Sequence, residues 1–244
     1  MSGKLLVVGD SFSDRYVETR PELKGVTPYN YWFDKLSHHL NMKLTNLSKS
    51  GIGNKQIFDL AFDAICNIKG IDLIIVMWSE FKRLDLEVDN HHLGGINYLS
   101  YNPDWWGDEW RKKWHMFSDW KKIYEQYKIH SANRGIDNFL RYTKSLSLLT
   151  NEKDINIIQC FGCVPNWDDK TIKYLISCNQ LHDLDENNYV GYPFFEKVGG
   201  FSMQEKFKVP DDVVSEDDKH PNQNGNDVIF KLLLEKYEKI ISGR

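Results

Sequence analysis

Three side chains in this 244-residue chain have the types needed for nucleophilic catalysis. Ser11 follows Gly9-Asp10 at the end of a short apolar run, Leu5-Leu6-Val7-Val8. A serine hydroxyl is a weak nucleophile until a base takes its proton. The chain supplies a base about 200 residues later, in Asp217-Asp218-Lys219-His220-Pro221. Histidine accepts a proton near neutral pH, and a carboxylate beside it fixes its tautomer and stabilises its charged form. Asp217, three residues before His220, is the acid that one turn of chain would hold beside the ring; Asp218, two residues before it, is the alternative. Serine, base and acid of this kind attack acyl carbonyls and pass through a covalent acyl intermediate.

The elements around these residues alternate. Residues 4–9 read as a buried strand that stops at a glycine. Ser11 therefore leaves a strand at its carboxyl end, where open α/β sheets bind ligands. A polar segment, 14–24, and a turn at Pro28 follow. Tyr29, Trp32, Phe33, Leu36 and Leu40 share one face of a helix over 29–40, with His38 and His39 at its solvated end. Residues 43–47 read as a second strand. Asn46 to Asn54, with Gly51 and Gly53, make a loop in which glycine lets a backbone N–H approach a ligand closely. A helix over 55–68 and the apolar strand 71–78 come next. Strand 155–161, a helix over 168–181, an irregular stretch 182–219 and an amphipathic helix over 222–241 close the chain. Pro221 suits that helix's first turn. So long an irregular stretch is usually functional or mobile.

Residues 84–150 break the alternation. Five of the chain's eight tryptophans lie between 105 and 120, and Trp106, Trp110, Trp114 and Phe117 recur at helical spacing. A largely helical, aromatic-rich insertion is expected, with a long helix over about 110–149 broken near Gly135. Its aromatics would form a core-facing stripe, or a lid, sugar-stacking or oligomer surface. His91-His92 lacks the companion ligands a metal site needs.

Composition narrows the options. Hydrophobic residues make up 41%, and net charge is −4 with no basic tract, so no electrostatic footprint for nucleic acid stands out. No apolar run approaches the roughly 18 residues a membrane span needs. The start of the chain has no signal-peptide pattern, which leads to the expectation of a cytoplasmic protein. Cys66, Cys160, Cys163 and Cys178 are expected as free thiols of a reducing compartment. The length suits one α/β domain over 1–244, with the insertion inside it.

Gly9-Asp10-Ser11 after the first strand and Asp217-x-x-His220-Pro221 before the last helix together resemble the SGNH/GDSL hydrolase family. The Asn46-to-Gly51 loop is similar to that family's second block. The resemblance implies a three-layer α/β/α sandwich with a short, mainly parallel, flavodoxin-like sheet. It implies a serine esterase or deacylase on a small-molecule or carbohydrate ester, with Ser11 as nucleophile, His220 as base and Asp217 as acid. Ser11 and Gly51 would give oxyanion-hole N–H groups, with Gly53 the fallback for Gly51. No metal or organic cofactor is implied. Asp10, Asn54, Ser79, Glu80 and Arg83 are candidate pocket residues. The third block departs from the family: Trp78 stands where a glycine belongs and Glu80 where an asparagine donor belongs. An ionised carboxylate cannot donate. Glu80 is therefore expected to pair with Arg83 as scaffold, and Ser79 or Arg83 to replace the donor. So degenerate a block is similar to phage-encoded relatives. An O-acyltransferase, or a weakened binding or assembly protein using the Trp-rich insertion, is the alternative, with a homo-oligomer through 84–150 among the expectations.

Overall fold

The computed structural model describes residues 3–19, 29–90, 95–101, 131–165 and 168–243. In chain order the strands and helices are Lys4–Gly9 (β1), Tyr16–Thr19 (α1), Trp32–His39 (α2), Lys43–Asn46 (β2), Asn54–Asn67 (α3), Leu73–Trp78 (β3), Leu84–Asn90 (β4), Gly95–Tyr101 (β5), Ala132–Glu152 (α4), Asn156–Phe161 (β6), Asp169–Ser177 (α5), Asn179–His182 (α6) and Gln223–Ser242 (α7).

A strand such as β1, apolar at consecutive positions, has no face to offer water and belongs inside a parallel sheet. The sheet order is β2-β1-β3-β6, every pairing parallel, with Leu5 opposite both Leu44 and Leu73, and Leu73 opposite Asn156. Successive side chains serve two cores. Leu6, Val8, Ile74, Val76, Trp78 and Phe161 cluster with Ile57 and Ala61 of α3 and Ile136 and Phe139 of α4. Leu5, Val7, Ile75, Met77 and Ile158 cluster with Trp32 and Leu36 of α2 and Ile229 and Leu233 of α7. Each fully buried Val, Leu, Ile or Phe contributes about 1.5–3 kcal/mol. The result is the expected three-layer α/β/α arrangement, with helix and strand ends displaced by a few residues.

The 84–150 region differs from its expectation. β4 and β5 form an antiparallel hairpin, Leu84 opposite Tyr101 and Asn90 opposite Gly95. The region therefore opens on strands, not helix. Its far end, α4, is part of the helical layer against the sheet. α4 begins at Ala132, after the extended N-cap Ser131, and Gly135 lies in its first turn, where an added Cβ would come within 2.1 Å of the Phe81 carbonyl oxygen, so glycine lets the helix sit on the β3 exit. His91, His92 and the whole tryptophan cluster of 105–120 fall outside the described residues.

The irregular stretch 182–219 is anchored along β6. Val190 N–H donates to Gln159 O, and the Met203 and Gln204 N–H groups donate to Phe161 O and Gly162 O. This covers the sheet edge that β6 would otherwise leave open. Phe194 and Phe195 of the stretch are buried in the core. The stretch therefore delivers Asp218 and His220 from a packed base.

Candidate active site

Gly9 ends β1 because nothing larger fits. An added Cβ would lie 2.6 Å from Ser13 Oγ and 2.8 Å from Met77 O. The turn that follows is pinned by Asp10. Its Oδ1 accepts the Phe12 N–H at 3.1 Å, and its carbonyl accepts the Ser13 N–H at 3.0 Å. Asp10 Oδ2 faces Arg83 Nη1 at 3.4 Å in a buried ion pair, and the same Nη1 donates to Ile52 O at 3.0 Å. Ser11 is left with its side chain toward the last loop of the chain.

There it meets His220, whose Nε2 lies 2.7 Å from Ser11 Oγ. Nδ1 lies 2.5 Å from Asp218 Oδ1. Asp217 is exposed, and the carboxylate beside the His220 ring is that of Asp218, the alternative, so the expected place of Asp217 is corrected. The reason is local. Asp218 Oδ1 also accepts the backbone N–H of His220 at 3.1 Å. An aspartate that hydrogen-bonds the backbone two residues on makes an Asx turn, and this turn holds the ring and carboxylate together without helical spacing. Burial alone would push the Asp218 carboxyl upward. Hydrogen bonds from the His220 ring and backbone, the His220 charge and the Tyr16 hydroxyl outweigh it and hold the carboxyl at about 2. Pro221 is likewise displaced: it bridges Val213 before the N-cap Asn222, and α7 starts at Gln223.

The Asn46-to-Gly51 loop is tied to the turn that carries Ser11. Asn46 Nδ2 donates to Ser13 O at 2.8 Å, and Asp14 Oδ2 accepts the Ser50 N–H at 2.9 Å and its hydroxyl at 2.8 Å. Gly51 adopts φ 86° with open space where a Cβ would be, so backbone conformation, not crowding, calls for glycine there. Among the described residues, the N–H groups of Ser11 and Gly51 have no acceptor. Gly53, the fallback donor, is taken: its N–H donates to Asp85 Oδ1 at 2.8 Å.

The remaining candidates frame the site more than they line it. Asn54 exchanges two hydrogen bonds with the Ser79 backbone, at 2.8 and 3.0 Å, and locks the start of α3 to the end of β3. Asp10, Asn54, Ser79 and Arg83 are all buried, and Glu80 is half-buried. Arg83 directs Nη1 at Asp10 and Ile52, which makes it a brace of the Ser11 turn. The charges of Glu80 and Arg83 both reach Cys163. Burial above all, with Asp10 and Glu80 adding to it and Arg83 opposing, raises the Cys163 thiol. All four cysteines are free thiols.

Two contributors carried no sequence signal that was used: Tyr16, which stacks on His220, and Asp85, which caps α3. Among the described residues, no cluster of three or more His, Cys, Asp or Glu could hold a metal, and no helix is long and apolar enough to cross a membrane.

The fold is one shared with solved proteins described as a G-D-S-L-family lipolytic protein and as an esterase. The chain is similar to a psychrotrophic esterase, EstA, from Pseudoalteromonas sp., solved in a form inhibited by monoethylphosphonate, with TM-score 0.53, 11% identity and coverage of 99% of this chain and 100% of that one. It is also similar to a G-D-S-L-family lipolytic protein from Desulfitobacterium hafniense DCB-2, with TM-score 0.50, 12% identity and coverage of 96% and 99%. No family model matches the sequence, and neither does any curated protein.

Proposed function

We propose that this chain is a serine esterase that works through an acyl-enzyme. The observation that carries the reading is the continuous contact from Ser11 Oγ to His220 Nε2 and from His220 Nδ1 to Asp218 Oδ1. Ser11 Oγ attacks the ester carbonyl while its proton passes to Nε2. Asp218 accepts the Nδ1–H bond, fixes the tautomer and stabilises the imidazolium that forms. The N–H groups of Ser11 and Gly51 receive the charge on the carbonyl oxygen. Collapse expels the alcohol, which takes the proton from Nε2. Water, deprotonated by the same nitrogen, then attacks the acyl-Ser11 carbonyl, and the acid leaves as Ser11 Oγ regains its proton. Ionised Glu80 is no donor to this hole, so two backbone N–H groups carry the oxyanion. The substrate class is an ester of a small or carbohydrate alcohol.

The phosphonate-inhibited state of the Pseudoalteromonas esterase suggests the direct test. A fluorophosphonate probe is expected to add one adduct to the wild type, on Ser11, and none to Ser11→Ala or His220→Ala. p-Nitrophenyl acetate turnover should fall with labelling. A folded wild type that takes no adduct and turns over no ester would overturn the reading.

A further inference from the structure

One side chain touches both the base and the acid, and it comes from neither of their segments. Tyr16 opens α1, five positions after Ser11, and is 8% exposed. Its ring lies on the His220 imidazole with centroids 3.7 Å apart and planes 12° from parallel. Its hydroxyl donates to Asp218 Oδ2 at 3.0 Å. Asp218 Oδ1 is already occupied by the two N–H groups of His220. The two carboxylate oxygens are thus divided, one for the base and one for Tyr16. The Phe12 ring is also near the imidazole, tilted by 40° at 5.2 Å.

We propose that Tyr16 is a positioning residue of the catalytic site: its hydroxyl sets the rotation of the Asp218 carboxylate, and its ring sets the plane of His220 and supports the imidazolium. The proposal rests on the esterase reading for its kinetic consequences. A hydrogen bond to a charged acceptor resists rotation more strongly than a neutral one. An aromatic face beneath a cation attracts it, and imidazolium is the form that builds up as Ser11 attacks. The two parts of the side chain act in opposite directions on protonation. The hydroxyl draws charge from Asp218 and so disfavours imidazolium, while the ring favours it. The titratable groups meeting the pair among the described residues are Ser11 from the β1 turn, Tyr16 from α1, and Tyr29, whose hydroxyl is raised first by burial and then by the charge of Asp218.

The test compares Tyr16→Phe with Tyr16→Leu. Tyr16→Phe keeps the ring and is expected to lower kcat roughly tenfold, with KM changed less than about twofold, as a charged hydrogen bond is lost. The acid limb of log kcat/KM should move to higher pH. Tyr16→Leu also removes the ring, and its acid limb should lie below that of Tyr16→Phe. Equal kcat and coincident pH profiles for wild type and Tyr16→Phe would overturn the proposal. A readout free of turnover is the low-field proton resonance of the His220 Nδ1–H bond. It should be present in the wild type and shifted or broadened in Tyr16→Phe. A wild type that shows this resonance but hydrolyses no ester refutes the esterase reading alone; an identical resonance in Tyr16→Phe refutes the role of Tyr16 alone. Should Tyr16→Leu fail to fold, the Tyr16→Phe comparison decides.

Discussion

Asp218 stands two residues before His220, and that short spacing sets what the carboxylate can do. One oxygen serves both N–H groups of the histidine, so the carboxylate is built into the turn that carries the ring. Asp218→Asn is expected to lower kcat roughly 10³- to 10⁴-fold by releasing the tautomer. Asp217→Asn, at an exposed position, should change it by less than about twofold. Steady-state rates for the two variants side by side check this. The same carboxyl links the site to acid stability. It is held at about 2 in the folded chain against an ordinary value of 3.8. The folded state gives up this proton more readily than the unfolded one. The stability it contributes is therefore complete above about pH 4 and is lost as the pH falls through 2. Wild type should lose more stability than Asp218→Asn between pH 4 and pH 2 in denaturant titrations; parallel curves would refute it. Ser11 and His220 were legible in the sequence because each sits at the boundary of a strongly patterned element. Asp218 stood only as the alternative to Asp217, because i to i+3 spacing describes a helical turn and this segment is an Asx turn. Tyr16 lies in a polar stretch whose pattern says nothing about what a single aromatic ring will face.

Braces between elements hold the turn that carries Ser11. Arg83, just past β3, meets Asp10 at the β1 exit, with side chains 3% and 0% exposed. Removing one partner of a buried pair leaves a charge without its counterpart and typically costs about 3–5 kcal/mol. Arg83→Met is expected to fall in that range, and adding Asp10→Asn should recover part of the loss. Urea midpoints for the single and double variants measure it; a double variant with the summed loss would exclude coupling. α3 is braced differently. Its N-cap, Gly53, has no side chain to offer, and Asp85 of β4 accepts the N–H groups of Gly53 and Gln56 instead. A carboxylate there also complements the positive end of the helix dipole. The pattern that marks β4 was present in the sequence. Leu84-Asp85-Leu86-Glu87-Val88-Asp89 alternates with the period of a strand. The aromatic spacing further on favours helix, and it outweighs so short a run of alternation. The sheet strands and the flanking helices were legible because a long apolar or 3.6-period run leaves little choice of element. Their ends were less so, since caps and turn bonds decide them.

Across the whole molecule, 209 positions separate Ser11 from His220, and a relay of hydrogen bonds through the helical layer joins the segments that carry them. Trp32, the first residue of α2, donates Nε1–H to the Phe12 carbonyl at 2.9 Å, which ties α2 to the nucleophile turn. Its backbone N–H donates to Asn226 Oδ1 at 3.1 Å, which ties α2 to α7. Asn226 in turn donates Nδ2 to Asn222 O at 2.8 Å and Pro221 O at 3.4 Å, the residues that leave His220. Asn226 is 1% exposed, and Trp32 is fully buried. No sequence pattern exposes such a relay, because a buried asparagine on a helix reads the same whether it bonds its own turn or another helix. Asn226→Ala leaves the buried Trp32 N–H without its acceptor and removes the side-chain donor to the Pro221 and Asn222 carbonyls, an expected cost of about 1–3 kcal/mol. Its effect should not stop at stability. If the relay sets the Ser11–His220 distance, kcat should fall about tenfold or more while KM changes little, because a misplaced base weakens the transition state and leaves substrate binding intact. Trp32→Phe cuts the same relay at its other end and keeps most of the apolar volume. Once either link is broken the second has little left to transmit, so the double variant should lose less than the product of the two single effects. Melting temperature and steady-state kinetics for the four proteins measure both quantities. Losses in kcat that multiply, or stability losses with kcat unchanged, would reduce Asn226 and Trp32 to packing residues and leave the placement of His220 to the loop that precedes it.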